Sequence, residues 1–312
     1  MSSLSDPILA DSPLVLRTKG WDDYGLIDSG GGRKLERYGP YRVVRPEPQC
    51  LWAPRLSPSQ WEAADAVFDP SDEDEAGRWR FKAEPRAAWP LAWRGVRFHG
   101  RFTAFRHLAF FPEQAANWAW LSEALTAQAL ATQAEPPRLL NLFGYTGVAS
   151  LVAAKAGAAV THVDASKKAI AWARENAELS GLADRPIRWI CEDARRYVQR
   201  EVRRGQTYEA IILDPPKYGR GPNGETWRLF DDLPALLADC VALLSPTAKF
   251  LVLNGYAERI SGLSLGALLA GAMAGRGGRI DWGELALMEE AGDRGVGLSF
   301  FARWRRDQDA PA

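Results

Sequence analysis

At 312 residues the chain has room for roughly two domains of about 150 residues each. Its 46% hydrophobic and 25% charged content is globular and excludes a disordered or fibrous protein. Its 39 Lys and Arg balance 39 Asp and Glu, so bulk charge does not hold it to nucleic acid. A local basic face stays open, because a partner feels where charges sit.

No apolar run nears the ~18 residues of a membrane span, and Asp6 and Asp11 stand where a secretory signal carries positive charge. Cys50, Cys191 and Cys240 are scattered without disulfide or zinc spacing, and there are only three histidines. The expectation is a cytoplasmic, metal-free protein; its oligomeric state is not readable from the sequence.

Up to Phe111, short apolar stretches are broken by Gly and Pro, as at Tyr38-Gly39-Pro40-Tyr41 and Trp89-Pro90. This punctuation predicts short strands and turns with one helix around 58–67, a small N-terminal α+β domain spanning 1–111. Asp65, Asp69, Asp72, Glu73, Asp74 and Glu75 read as a solvated acidic loop. Residues 112–133 predict a helix, with Trp118, Leu121, Leu125 and Ala129 on one face. From there, strand-length runs at 139–143, 160–163, 187–191, 210–213, 250–253, 280–287 and 298–304 alternate with helical patterns. The helices are expected at 148–156, 167–179, 194–203, 227–244 and 264–274. Such alternation predicts an α/β fold with a parallel sheet wrapped on both faces, over 112–312. The few residues between the last two strands cannot make a parallel crossover, so the last strand is expected antiparallel in a seven-stranded, Rossmann-like sheet.

In such a sheet ligands bind at the carboxyl ends of the strands. The first strand is followed by Asn141-Leu142-Phe143-Gly144-Tyr145-Thr146-Gly147, whose glycines allow close backbone approach or simply make a tight turn. The second ends at Val163-Asp164-Ala165-Ser166. A carboxylate at Asp164 can accept both hydroxyls of a ribose or cap the next helix, a role Ser166 fits equally. After the third, Asp193-Ala194 offers an acceptor for an adenine amine, or another cap. The fourth runs into Asp214-Pro215-Pro216-Lys217-Tyr218. Here two prolines stiffen the backbone, Asp214 and a proline carbonyl offer acceptors, and Tyr218 offers a face on which a base can stack.

These four segments resemble class I S-adenosylmethionine-dependent methyltransferases, and most closely the group methylating cytosine carbon 5 and guanine nitrogen 7 of large-subunit (23S) ribosomal RNA. The resemblance covers about 105–304 and includes Phe110-Phe111-Pro112-Glu113-Gln114. It implies S-adenosyl-L-methionine as cofactor, with Asn141, Phe143, Gly144, Tyr145, Thr146 and Gly147 around the methionine part. It further implies Asp164, Ala165 and Ser166 at the ribose, Asp193 and Ala194 at the adenine, Asp214 also in contact with the cofactor, and Gln114 closing the site. Asp214, Pro215, Pro216 and Tyr218 would form the catalytic acceptor pocket, with RNA as substrate. Among the enzymes it resembles, those methylating cytosine carbon 5 carry a cysteine nucleophile after the fourth or fifth strand, where this chain has Asp214-Pro215-Pro216-Lys217 and Leu253-Asn254-Gly255-Tyr256. Cys191 and Cys240 read as buried small residues, so direct transfer to a base is expected.

The first 110 residues hold 16 Lys and Arg against 15 Asp and Glu, six of the acids lying in the acidic loop. Basic and aromatic residues interleave at Arg33, Lys34, Arg37, Tyr38, Tyr41, Arg42 and Arg45, and again at Trp79, Arg80, Phe81 and Lys82, a combination suited to single-stranded RNA. Arg195, Arg196, Arg200, Arg203 and Arg204 form either a second basic strip or a solvated helix face. Most of the thirteen Trp are expected in the core. Three rival readings are a methyltransferase acting on a small molecule or protein, a nicotinamide-dependent oxidoreductase, and a non-catalytic RNA-binding protein. The lack of G-x-G-x-x-G counts against the oxidoreductase.

Overall fold

A computed structural model describes residues 5–71, 77–132, 135–256 and 259–307. The front of the chain forms β1 (Ile8–Leu9), β2 (Leu14–Thr18), β3 (Tyr24–Gly30), β4 (Arg33–Tyr38), β5 (Tyr41–Pro46), α1 (Pro58–Glu62), β6 (Ala66–Pro70), β7 (Gly77–Phe81), β8 (Trp89–Trp93) and β9 (Val96–Gly100). After a single 3-10 turn (Pro112–Gln114) come α2 (Ala115–Thr132), β10 (Arg138–Leu142), α3 (Val148–Lys155), β11 (Ala159–Asp164), α4 (Lys167–Leu179), β12 (Ile187–Cys191), α5 (Ala194–Arg203) and β13 (Ala210–Leu213). Then follow β14 (Tyr218–Arg220), β15 (Thr226–Arg228), α6 (Leu229–Ala242), β16 (Phe250–Gly255), α7 (Gly262–Ala272), β17 (Arg279–Met288) and β18 (Gly295–Arg305).

Two compact units result: Met1–Leu16 with Asn117–Leu285 and Ser299–Ala312, and Arg17–Ala116 with Ala286–Leu298. Each unit draws on both ends of the chain.

In the larger unit the order is β12-β11-β10-β13-β16-β18-β17. All seven expected strands are present, and β18 runs antiparallel to β16. The sheet has nine strands, because β1 and β2 both pair with β17. Two residues of β1 carry no periodicity, so nothing local announced this. Strands β10, β13 and β16 are rich in apolar residues on both faces because helices cover both faces of a parallel sheet, and Leu140, Leu142, Ile211, Leu213, Leu251 and Leu253 are all fully buried. Helix α6 begins at Leu229 rather than 227, because Trp227 is spent on β15.

The smaller unit holds the five-stranded sheet β3-β4-β5-β6-β7 and the β8–β9 hairpin. Its helix is shorter than the expected 58–67. Val43 and Val44 pair in parallel with Ala66 and Val67, which draws that segment into β6. Of the acidic residues, Asp69 lies in β6 and pairs with Arg80, Asp65 accepts the Arg42 amide at 2.7 Å, and 72–75 lie outside the described residues. Gln133, the last residue of the expected 112–133 helix, lies outside them too.

A buried charge cluster explains why Ala286–Leu298 belongs to this unit. Arg294 donates to Asp28 at 2.6 Å and to Glu289 at 2.7 Å, and Ser29 donates to Glu289 at 2.6 Å. Burial works against the Asp28 charge, but donors from the Leu56 amide and the Trp61 indole hold its carboxyl below the usual range.

Candidate functional site

The reversal of strand order between β10 and β13 is where an open α/β sheet leaves a crevice, and the four segments singled out above lie around it. The ends of neighbouring strands are stitched together. The Gly144 amide donates to the Val163 carbonyl at 3.1 Å, and the Glu192 amide to the Asp164 carbonyl at 3.1 Å.

The turn after β10 is conformationally unusual. Phe143 and Tyr145 have φ of 57° and 49°, in the left-handed region that costs a side-chain-bearing residue about 1–2 kcal/mol, and Gly147 follows at 85° as the N-cap of α3. Such strain persists only where the surroundings over-determine it. Beneath the turn, Asn141 donates to Ser150 at 2.9 Å, and Ser150 meets His162 Nδ1 at 2.9 Å, all three buried. Burial pushes the His162 imidazole down to about 3, so it is neutral at ordinary pH. Asn141 therefore supports the turn from below, and Thr146, also buried, is held through its carbonyl by Asn176 at 2.9 Å.

A Cβ on Gly144 would lie 2.3 Å from the His162 ring. Gly144→Ala is accordingly expected to cost about 1–3 kcal/mol, as overpacking does. The Gly144→Ala/His162→Ala pair should recover part of that loss in urea unfolding.

Asp164 stands half-buried at the end of β11. One carboxylate oxygen accepts the Tyr145 amide at 2.9 Å and the other the Ser166 amide at 2.8 Å. Burial raises its pKa above the ordinary aspartate value, and the two amides only partly offset this. An ionised carboxylate has about four acceptor positions, so two remain for a ligand. The cap of α4 is Ser166, which accepts the Ala169 amide at 3.2 Å. Ala165 accepts a weak thiol contact from Cys191 at 3.6 Å.

Cys191 is exposed, against the expectation of burial, because it ends the outermost strand of the sheet. Asp193 is the cap of α5, with one oxygen accepting the amides of Arg195 and Arg196 at 3.1 Å each. Ala194 packs into the core at the helix start. Gln114 is buried in the smaller unit.

Asp214 is half-buried, Pro215 buried, and Pro216 and Tyr218 exposed, Tyr218 by 52%. The Pro216 carbonyl, one of the acceptors expected to face a base, is instead taken by the Trp227 indole at 2.7 Å. Among the described residues, no group of three or more His, Cys, Asp or Glu could hold a metal ion.

Comparison with known proteins decides the family. A family model described as S-adenosylmethionine-dependent methyltransferase matches residues 33–255. The chain belongs to the S-adenosylmethionine-dependent methyltransferases. A crystal structure of such a methyltransferase from Agrobacterium tumefaciens is 51% identical, with 98% of this chain and 97% of that one covered at a TM-score of 0.91. One from Streptococcus mutans shares the fold at 16% identity and a TM-score of 0.67, covering 91% of this chain and 76% of its own. Curated relatives named "Ribosomal RNA large subunit methyltransferase K/L", such as that of Shewanella baltica, are 36% identical over 137 residues, 43% of this chain. The chain spans only 19% of the length of that relative.

The site residues fit the methyltransferase cofactor. The strained turn at 143–147 ends at the N-terminus of α3, and Asp164 beside it accepts only two amides, which leaves a carboxylate with acceptor capacity of the kind a hydroxyl-bearing cofactor needs.

Sequence reasoning missed two parts of this methyltransferase. The β14–β15 hairpin was foreshadowed only by the turn-forming Gly221-Pro222-Asn223-Gly224. Trp227 links the Asp214-Pro215-Pro216 corner to the glycine turn: it is buried, donates to Pro216, and lies 5.0 Å from the Phe143 ring.

Several residues assigned to RNA contact turn out to be structural. Lys34 and Arg45 are buried against Glu47 and Glu36, and Tyr38 is fully buried. On α5 and at its C-cap, Arg195 pairs with Asp232 at 2.6 Å, Arg196 with Glu225 at 2.8 Å, Arg200 with Glu192 at 2.5 Å and Arg204 with Glu201 at 3.2 Å. Only Arg203 of that strip has no ion pair among the described residues. Seven of the thirteen Trp are buried.

Proposed function

We propose that this methyltransferase moves the methyl group of S-adenosyl-L-methionine to a base of 23S ribosomal RNA by direct transfer. The RNA assignment is carried by the similarity to relatives named as large-subunit ribosomal RNA methyltransferases. An exposed Tyr218 beside the rigid Asp214-Pro215-Pro216 corner is consistent with a planar acceptor.

The bound cofactor supplies an electrophilic methyl on sulfur, and this chain's residues do the positioning. The turn from Phe143 to Gly147 cradles the amino-acid end, Asp164 takes the ribose hydroxyls, and Asp193 and Ala194 border the adenine. Asp214 accepts a hydrogen bond from the acceptor base and orients its nucleophilic atom in line with the methyl. Orientation of this kind can remove about 7–11 kcal/mol of barrier without acid–base chemistry.

The placement of the thiols supports direct transfer. Cys240 is buried within α6 and Cys50 is buried in the smaller unit, where burial raises its pKa to about 11, and Cys191 ends β12, so none of the three follows the fourth or fifth strand of the alternation.

The test supplies methyl-labelled cofactor and unmodified 23S RNA transcribed in vitro, followed by nucleoside mass spectrometry. One labelled base is expected. Label found only in protein when whole ribosomes are supplied would overturn the RNA assignment. RNA carrying 5-fluorocytidine is expected to form no covalent adduct on a denaturing gel.

A further inference from the structure

Given an RNA acceptor, the reading on which this inference rests, the structure indicates where the strand is gripped. In β14–β15, Tyr218 pairs with Arg228, Gly219 with Trp227, and Arg220 with Thr226. Side chains alternate across a strand, so Trp227 falls on one face while Tyr218, Arg220, Thr226 and Arg228 share the other. Burial agrees with this division: Trp227 is 2% exposed, and Tyr218, Arg220, Thr226 and Arg228 are all exposed.

The inner face is heavily anchored. Trp227 donates to Pro216, Arg195 donates to the Thr226 carbonyl at 2.8 Å, and Arg196 pairs with Glu225 at 2.8 Å. The α5 arginines thus hold the hairpin down and neutralise its carboxylate. The outer arginines are left to solvent. Arg220 makes no ion pair among the described residues. Arg228 lies 3.9 Å from Asp231, with both side chains 68% exposed, and a pair that open contributes little.

We infer that the outward face of this hairpin is an RNA-contact surface, with Arg220 and Arg228 on the phosphates flanking the target base and Tyr218 as a stacking platform. The two arginines sit on a cross-strand diagonal, about 7–8 Å apart at the backbone. The hairpin follows directly from the Asp214-Pro215-Pro216 corner, so a strand held there passes the acceptor pocket.

The experiment measures binding of unmodified 23S RNA transcribed in vitro over a salt series, for the wild type, the Arg220→Gln/Arg228→Gln double variant and Arg203→Gln. Two lost phosphate contacts should make the log K against log [salt] slope shallower by about 1.4, at ~0.7 per contact for single strands. The Arg203→Gln slope should match the wild type, and cofactor affinity in the double variant should be unchanged. An unchanged slope in the double variant, or an equal loss in Arg203→Gln, overturns the inference while leaving RNA methylation intact. A wild type that neither binds nor methylates the RNA overturns both readings together.

Discussion

Asp164→Ala is expected to weaken S-adenosylmethionine binding by about 1.5–3 kcal/mol, the usual worth of a hydrogen bond to a charged group. In Kd that is roughly tenfold to more than a hundredfold. Isothermal titration measures it, and an unchanged affinity removes the ribose assignment.

The effect has a pH signature. Burial raises the Asp164 pKa in the free protein, despite the amides of Ser166 and Tyr145. A raised carboxylate means that ionising Asp164 costs fold stability: the protonated form is favoured below the unfolded pKa, and that advantage is lost as pH rises through the folded one. Ligand hydroxyls that donate to the carboxylate favour its ionised form and pull the pKa down. Cofactor affinity should therefore fall as pH drops through a value above the ordinary aspartate range, with one proton released on binding in that window. Titration in buffers of differing ionisation enthalpy reads the proton, and its absence in Asp164→Asn ties it to this residue.

Trp227→Ala is expected to destabilise the protein by about 3–5 kcal/mol, as large-to-small core changes do. Against a total stability of about 5–15 kcal/mol, that is a large loss in urea unfolding. Trp227→Phe separates the indole's two roles. It keeps an aromatic ring against Phe143 but removes the N–H that Pro216 accepts, so the expected stability cost is only about 1 kcal/mol. If the indole positions the Asp214-Pro215-Pro216 corner, kcat should drop in Trp227→Phe while cofactor affinity stays near wild type. A purely structural role would lower stability and leave kcat unchanged.

The strand–helix alternation from Arg138 onward was legible because each element there obeys one local rule. Helices α4 and α5 follow their own 3.6-residue periodicity and carry caps at Ser166 and Asp193, so 167–179 and 194–203 could be read to the residue. Strands β10, β11, β12 and β13 are apolar runs bounded by Gly, Pro or Asp, and the acids that end them could be named without coordinates. The front of the chain was harder to read. Lys34, Arg45 and Tyr38 look like an RNA surface in sequence, because charge says nothing about its partner. Only the pairing of β4 with β5 puts Glu36 beside Arg45 and turns the group inward.

The same distinction holds across the molecule. By itself the sequence determined the parallel sheet, the reversed last strand, the Phe143–Gly147 turn and the carboxylates at the strand ends, all set by neighbours a few positions apart. Tertiary structure alone decided what depends on distant pairing. β1 and β2 complete the large sheet, Ala286–Leu298 joins the smaller unit through Arg294, and Arg195, Arg196, Arg200 and Arg204 are consumed by Asp232, Glu225, Glu192 and Glu201. The net charge of zero is the clearest case. It is an average over ion pairs buried or spent within the fold, and only the folded chain shows which cations, Arg220 and Arg228 among them, still face outward.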